Sequence, residues 1–239
     1  MKTTTTILSL ISALLIVVLS GFVGSRVLDK PFNDEEMPVD PFNKISISIP
    51  ADVHLDQGSP QNLVIEADPS TLEKIKATVN DNQLVIKLRE PGQRLKGDVT
   101  IHITVPELEN LSVAGSATVT AKRLFKAGEL TLRLAGSGDI EFADLQSGEL
   151  DARISGSGKI TLSGQTREFD VALAGSGDID AFDFVTSGFD GKISGSGSCN
   201  VNVTGELGAT IAGSGDIMYR GTPKVSSMVA GSGSIRPEK

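Results

Sequence analysis

At 239 residues, with 26 glycines, nine phenylalanines, one tyrosine and no tryptophan, the chain is composed for turn-rich β structure rather than for a helical bundle. Its formal charge of −8 sets it against nucleic acid and against an anionic membrane surface, since both would repel it. Cys199 is the only cysteine, which excludes an intrachain disulfide and any zinc or iron–sulfur site built from cysteines.

Residues 7–23 (ILSLISALLIVVLSGFV) form an apolar run behind a start whose positive groups are the N-terminus and Lys2. The run lies at the lower limit for spanning a bilayer and suits a signal peptide at least as well. Val23-Gly24-Ser25 offers modest side chains for cleavage after Ser25, whereas Phe22 stands where a lipoprotein would need cysteine. Residues 1–25 are therefore expected to be a signal peptide or a signal anchor. Either one exports the remainder to the periplasm or cell envelope, with membrane contact only through residues 7–23 if they stay uncleaved. Residues 26–41 carry Pro31, Pro38 and an acidic cluster and read as a linker.

Residues 42–112 read as an irregular β-rich cap with strands at 44–49, 62–66, 83–88 and 99–105. One short helix is expected to begin at Pro69-Ser70-Thr71 and to run through Leu72-Glu73-Lys74-Ile75. This part is expected to close the array that follows and to continue its sheets.

Residues 113–239 repeat themselves. A corner of the form AGSG or SGSG (AGSA in the first copy) has its first glycine at Gly115, Gly136, Gly156, Gly175, Gly195, Gly213 and Gly231, spaced by 21, 20, 19, 20, 18 and 18 residues. Two glycines per corner allow positive φ twice and so permit a sharp bend. Counting from the first glycine, offset −6 reads Leu130, Leu150, Phe169, Phe189, Leu207, Val225. Offset −2 reads Val113, Leu134, Ile154, Leu173, Ile193, Ile211, Val229, and offset +4 reads Val119, Ile140, Ile160, Ile179, Cys199, Ile217, Ile235. Offset −4 is smaller or mixed (Leu132, Ala152, Val171, Gly191, Ala209, Ser227). Even offsets share one strand face.

In a meander of hairpins, equivalent positions would sit two strands apart and need not match. In a solenoid they stack at about 4.8 Å, so like packs on like. The nearly pure isoleucine column and a column of seven serines (Ser116, Ser137, Ser157, Ser176, Ser196, Ser214, Ser232) select the solenoid. Offset +3 (Thr118, Asp139, Lys159, Asp178, Ser198, Asp216, Ser234) alternates so that no two carboxylates stack directly, which fits the same choice. The expected fold is all-β: a single-stranded parallel β-helix of 18–21 residues per repeat behind the β-rich cap. Arg236-Pro237-Glu238-Lys239 is expected to close its far end.

Phe42-Asn43-Lys44-Ile45, DVHLDQG at 52–58, LEKIKATVNDNQLVIKL at 72–88, VPELENLSVAGSATV at 105–119 and the later corners together resemble the bacterial family named "putative auto-transporter adhesin, head GIN domain". The resemblance covers nearly all of the chain after the leader and implies a β-helix-like fold and export to the envelope. It implies no catalytic motif. Members often begin as lipoproteins, and this chain lacks the required cysteine.

Each residue type that could carry chemistry has a plainer role here. Asp139, Asp178 and Asp216 follow glycine corners, as calcium ligands do in some toxin repeats, but two coils place them about 9.6 Å apart, too far to share an ion. No GxxxxGK[ST] phosphate loop is present, and serine in GSG does not have the GxSxG spacing of a hydrolase elbow. His54 and His102 lie in strand-like segments with no evident acid–nucleophile pairing. Cys199 replaces an isoleucine and reads as a small buried hydrophobe. The expectation is thus no catalytic, cofactor or metal residue. The module would be an exported structural or adhesin-like one, facing an unknown envelope or surface partner, protein or polysaccharide. The alternatives are a carbohydrate-binding or carbohydrate-processing β-helix, in which converging acids and aromatic platforms are required, and an envelope sensor module.

Overall fold

In the computed structural model, which describes residues 33–36 and 39–238, the glycine corners lie one above another and the chain winds as a parallel β-solenoid of about six turns. The expected leader at 1–25 lies outside the described residues, and among those described no helix is long and apolar enough to cross a membrane.

In chain order the elements are β1 (Asn33–Glu36), β2 (Lys44–Ile47), β3 (Asp52–Gln57), β4 (Asn62–Ala67), α1 (Pro69–Leu72), β5 (Ile75–Asn80), β6 (Gln83–Leu88), β7 (Thr100–Val105) and β8 (Asn110–Gly115). Each full repeat then forms one long bent strand: β9 (Thr118–Gly136), β10 (Asp139–Gly156), β11 (Lys159–Gly175), β12 (Asp178–Gly195) and β13 (Ser198–Gly213). The last coil is divided into β14 (Asp216–Arg220), β15 (Lys224–Gly231) and β16 (Ser234–Pro237). The short helix is one turn only. Asp68 caps it by accepting from Ser70 N–H at 3.1 Å, and Ile75 already belongs to β5.

The columns stack as the spacing predicts. Ile140 pairs with Ile160, Ile160 with Ile179, Ile179 with Cys199 and Cys199 with Ile217. From the first copy through Ile217, every member of the −6, −2 and +4 columns is at most 4% exposed. Where Phe189 is large its neighbour is absent: a Cβ on Gly191 would come within 2.6 Å of the Phe189 ring, so the two positions share one volume.

The corner glycines differ from the expectation in one respect. Positive φ occurs at the first glycine of each corner, as at Gly156 (φ 134°), and not at the second. Both positions need glycine for close approach, the second for that alone: a Cβ on Gly158 would lie 2.3 Å from the Gly138 carbonyl oxygen of the coil below. Backbone bonds thread both positions, Ser157 N–H donating to Gly136 O at 2.9 Å and Lys159 N–H to Gly138 O at 3.2 Å. The serine hydroxyls face solvent.

A second bend in each coil was not foreseen. Pairing slips between Phe142 and Leu145 in β10, and the bend is filled by Phe125, Phe142, Leu145 and Phe184, all at most 1% exposed. Phe125 meets Phe142 edge to face at 5.4 Å, and Phe169 meets Phe184 at 5.5 Å.

Parallel stacking also runs through residues 44–115, but not in chain order. β2 pairs with both β6 and β8, while β3 pairs with both β7 and β9. The β2–β3 coil is therefore held between the later β6–β7 coil and the β8–β9 coil, and residues 106–109 carry the chain back across it. Antiparallel β5, β4 and β1 finish this end; β1 lies within the stretch read as a linker. At the other end the closure expected from residues 236–239 reaches β16 alone, where Glu238 turns back to pair with Arg220. β15 has no strand on its outer side among the described residues, and Val225 and Val229 of the core columns are 40% and 41% exposed.

Candidate interaction surface

Odd offsets point outward, so the sheet leading into each corner displays rows of its own, which run through β9–β12 and end at Thr210 and Gly208 of β13. Offset −3 gives Arg133, Arg153, Ala172, Lys192 and offset −5 gives Thr131, Asp151, Asp170, Asp190. Registers of β9 with β10, β10 with β11 and β11 with β12 place each residue beside its equivalent. Here, unlike at offset +3, carboxylates do stack directly. Asp151 and Asp190 are balanced along their own strands, by Arg153 at 2.7 Å and Lys192 at 3.0 Å. Asp170 has Ala172 in the corresponding place and has no such partner. Partial burial, and then the charges of Asp190 and Asp151, push its carboxyl above the usual carboxylate range.

A raised carboxyl pKa in the folded state means that the ionised form costs stability at neutral pH. That cost disappears as pH falls through the folded-state value towards the unfolded one. Asp170→Asn is therefore expected to raise the melting temperature at pH 7, by the equivalent of about 0.5 kcal/mol for one like-charge pair relieved. The advantage should shrink towards pH 4. Melting curves at both pH values check this, and a variant that melts no higher than the parent at pH 7 contradicts it.

At offset +3 the expected alternation holds and is hydrogen-bonded. Ser198 N–H donates to Asp178 Oδ1 at 3.1 Å and Ser234 N–H donates to Asp216 Oδ1 at 2.9 Å, whereas Lys159 reaches past its register partner Asp178 to Asp180, at offset +5, at 3.5 Å. These aspartates act as inter-coil links in the turns. Among the described residues no group of three or more His, Cys, Asp or Glu side chains is placed to hold a metal ion.

A polar cleft of about 1230 Å³ lies where the return segment 106–109 crosses the β2–β3 coil. Gln57 shapes it: its amide donates to Pro106 O at 3.0 Å and to Lys126 O at 2.8 Å, while its carbonyl accepts from Lys126 N–H at 2.8 Å. Lys44, Lys126 and Arg133 line it together with Asp81, Glu107, Glu109 and Glu129, and Lys44 pairs with Glu109 at 3.8 Å. No aromatic ring lines it. Opposite charges mixed in this way suit the holding of a polar surface, and sequence reasoning missed the cleft because it depends on the crossing of coils out of chain order.

Cys199 is wholly buried, and burial, with a smaller contribution from Asp180, pushes its thiol up to about 12. It is inert packing. His54 and His102 are brought together on adjacent strands of the sheet beyond the corner, with ring centres 5.0 Å apart.

Among curated proteins none matches this chain. Solved structures do. A "putative adhesin" from Bacteroides fragilis superposes with a TM-score of 0.82 at 23% identity, covering 88% of this chain and 98% of its own. A "putative lipid binding protein" from Parabacteroides distasonis gives 0.76 at 24%, and a "putative adhesin" from Parabacteroides merdae gives 0.70 at 23%, each with the same coverage of both chains. At these identities they speak for the fold alone. The family model described as "putative auto-transporter adhesin, head GIN domain" matches residues 41–223, and the chain belongs to that family.

Proposed function

We propose that this protein is an exported, non-catalytic module of the cell envelope that holds a protein or polysaccharide partner against its ordered outer rows. The observation that supports this is the −3 and −5 rows, in which Arg133, Arg153 and Lys192, beside Asp151, Asp170 and Asp190, share one outer face of β9–β12. Such a face gives a repeating partner several similar weak contacts, which sum as multivalent binding does. The opposite charges lining the cleft favour a mixed polar partner over a uniformly charged one. The apolar run at 7–23 supports export, with residues 1–25 as leader.

The test has two parts. Fractionated cells should yield the chain in the envelope, and chain recovered in the cytoplasm with Met1 intact removes the proposal. Purified protein incubated with envelope polysaccharides should retain some of them on a column without releasing new reducing ends; release of products establishes an enzyme instead.

A further inference from the structure

The chain has two histidines, and the fold places them side by side. His54 on β3 and His102 on β7 are register partners on the outer face of one sheet, with His102 partly solvent-exposed, its side chain 45% so. Strand order across this sheet is β4, β7, β3. Glu66 on β4 stands on the far side of His102, with Oε1 3.1 Å from His102 Nε2.

A carboxylate this close to Nε2 can hold a metal-binding imidazole in place. A histidine that binds an ion through one ring nitrogen usually donates its other N–H to a carboxylate or carbonyl, which fixes tautomer and ring orientation and makes the ligating nitrogen more basic. An Nε2 proton directed at Glu66 would leave the lone pair of His102 on Nδ1. Two imidazoles on one ion each hold it about 2.0–2.1 Å from a ring nitrogen, which sets their ring centres about 4.5–5.2 Å apart for angles between 90° and 110° at the metal. The observed 5.0 Å falls within that span.

The geometry points to a surface site in which His54 and His102 bind one borderline first-row divalent cation (Cu²⁺, Ni²⁺ or Zn²⁺), with Glu66 as the positioning residue. Two nitrogen donors and no thiolate suit this class and not calcium or magnesium, which take oxygen. Water completes the coordination, so the site is one of modest affinity. Its position gives the ion structural leverage: it bridges β3 and β7, which belong to the enclosed coil and to the coil folded over it. Binding would tie these two together and stabilise the folded chain by mass action.

Titration of the full, tag-free chain with Ni²⁺ and with Zn²⁺, followed by calorimetry and by the melting temperature, tests this. The expected result is saturable binding of one ion per chain, a higher melting temperature with the ion than without it, and no response to Ca²⁺. His54→Ala and His102→Ala should each abolish binding while melting like the metal-free parent. Glu66→Gln should weaken binding by about 10–100-fold without changing the stoichiometry. Absence of saturable binding up to millimolar metal overturns the site, as does binding that survives either alanine variant. Undiminished affinity in Glu66→Gln overturns the role given to Glu66.

Discussion

Ile179→Asp is expected to unfold the middle of the solenoid. The side chain is 1% exposed and lies between Ile160 below and Cys199 above. An ionised carboxylate there has no cation or hydrogen-bond donor within the core column, so the chain must either neutralise it or expel it. Exchanging a filled apolar site for an uncompensated buried charge falls in the class of changes that cost above about 4 kcal/mol, a large part of the stability of an ordinary domain. In a repeat array each coil leans only on its neighbours, so the damage should spread from β12 into β11 and β13 and spare β2–β9 longest. Circular dichroism should show an early partial transition, and limited proteolysis should cut first between residues 159 and 213. Ile179→Val serves as the control, with an expected cost of about 1 kcal/mol. A parent-like melting curve for the aspartate variant would contradict the stacking of the columns.

Gly156→Ala should be nearly as damaging, for two separable reasons. The residue has φ 134°, outside the range L side chains adopt, and the new Cβ would lie 2.3 Å from Gly136 O, an atom already accepting from Ser157 N–H. Backbone strain of about 1–3 kcal/mol and overpacking of about 1–3 kcal/mol combine to roughly 2–6 kcal/mol. Gly158→Ala isolates the second effect, since its Cβ would meet Gly138 O at 2.3 Å with no positive φ, and about 1–3 kcal/mol is expected. Gly128→Ala meets nothing within 4 Å and has no positive φ, so its change should stay within about 0.5 kcal/mol. The order 156, 158, 128 in chemical-denaturation midpoints is the expected result. Equal midpoints for all three would mean that the corners do not carry the stacking.

The repeats were legible because stacking imposes one demand many times. Residues 113–235 repeat their apolar offsets and their glycines, and a period near 20 shows without any structure. The sequence marks the glycines as corner-formers, yet every corner glycine after Gly115 also answers to a carbonyl in the coil below, a contact between residues 18–21 apart that no local turn rule contains. The second bend was hidden because its spacing varies: Phe142 and Leu145 in one coil correspond to Leu162 and Gly164 in the next. The N-terminal coils were read as an irregular cap because each is unique and their spatial order departs from chain order. The same departure concealed the His54–His102 pair and the cleft. The like-charge argument made for offset +3 does not extend to offset −5, where Asp151 and Asp190 are balanced by lateral partners on their own strands, invisible to a column count.

The coil of residues 44–57, enclosed between two later stretches, also governs how the protein can be made. A polypeptide delivered N-terminus first cannot complete this layer as it emerges; one side must wait for residues 83–105 and the other for residues 110–120. That delay is a nucleation cost of non-local closure, met once. Every subsequent turn needs only the rim already laid down, so growth becomes simple accretion. Evolution can lengthen or shorten the tower from the repeat side by whole units, while the knot-like base remains indivisible.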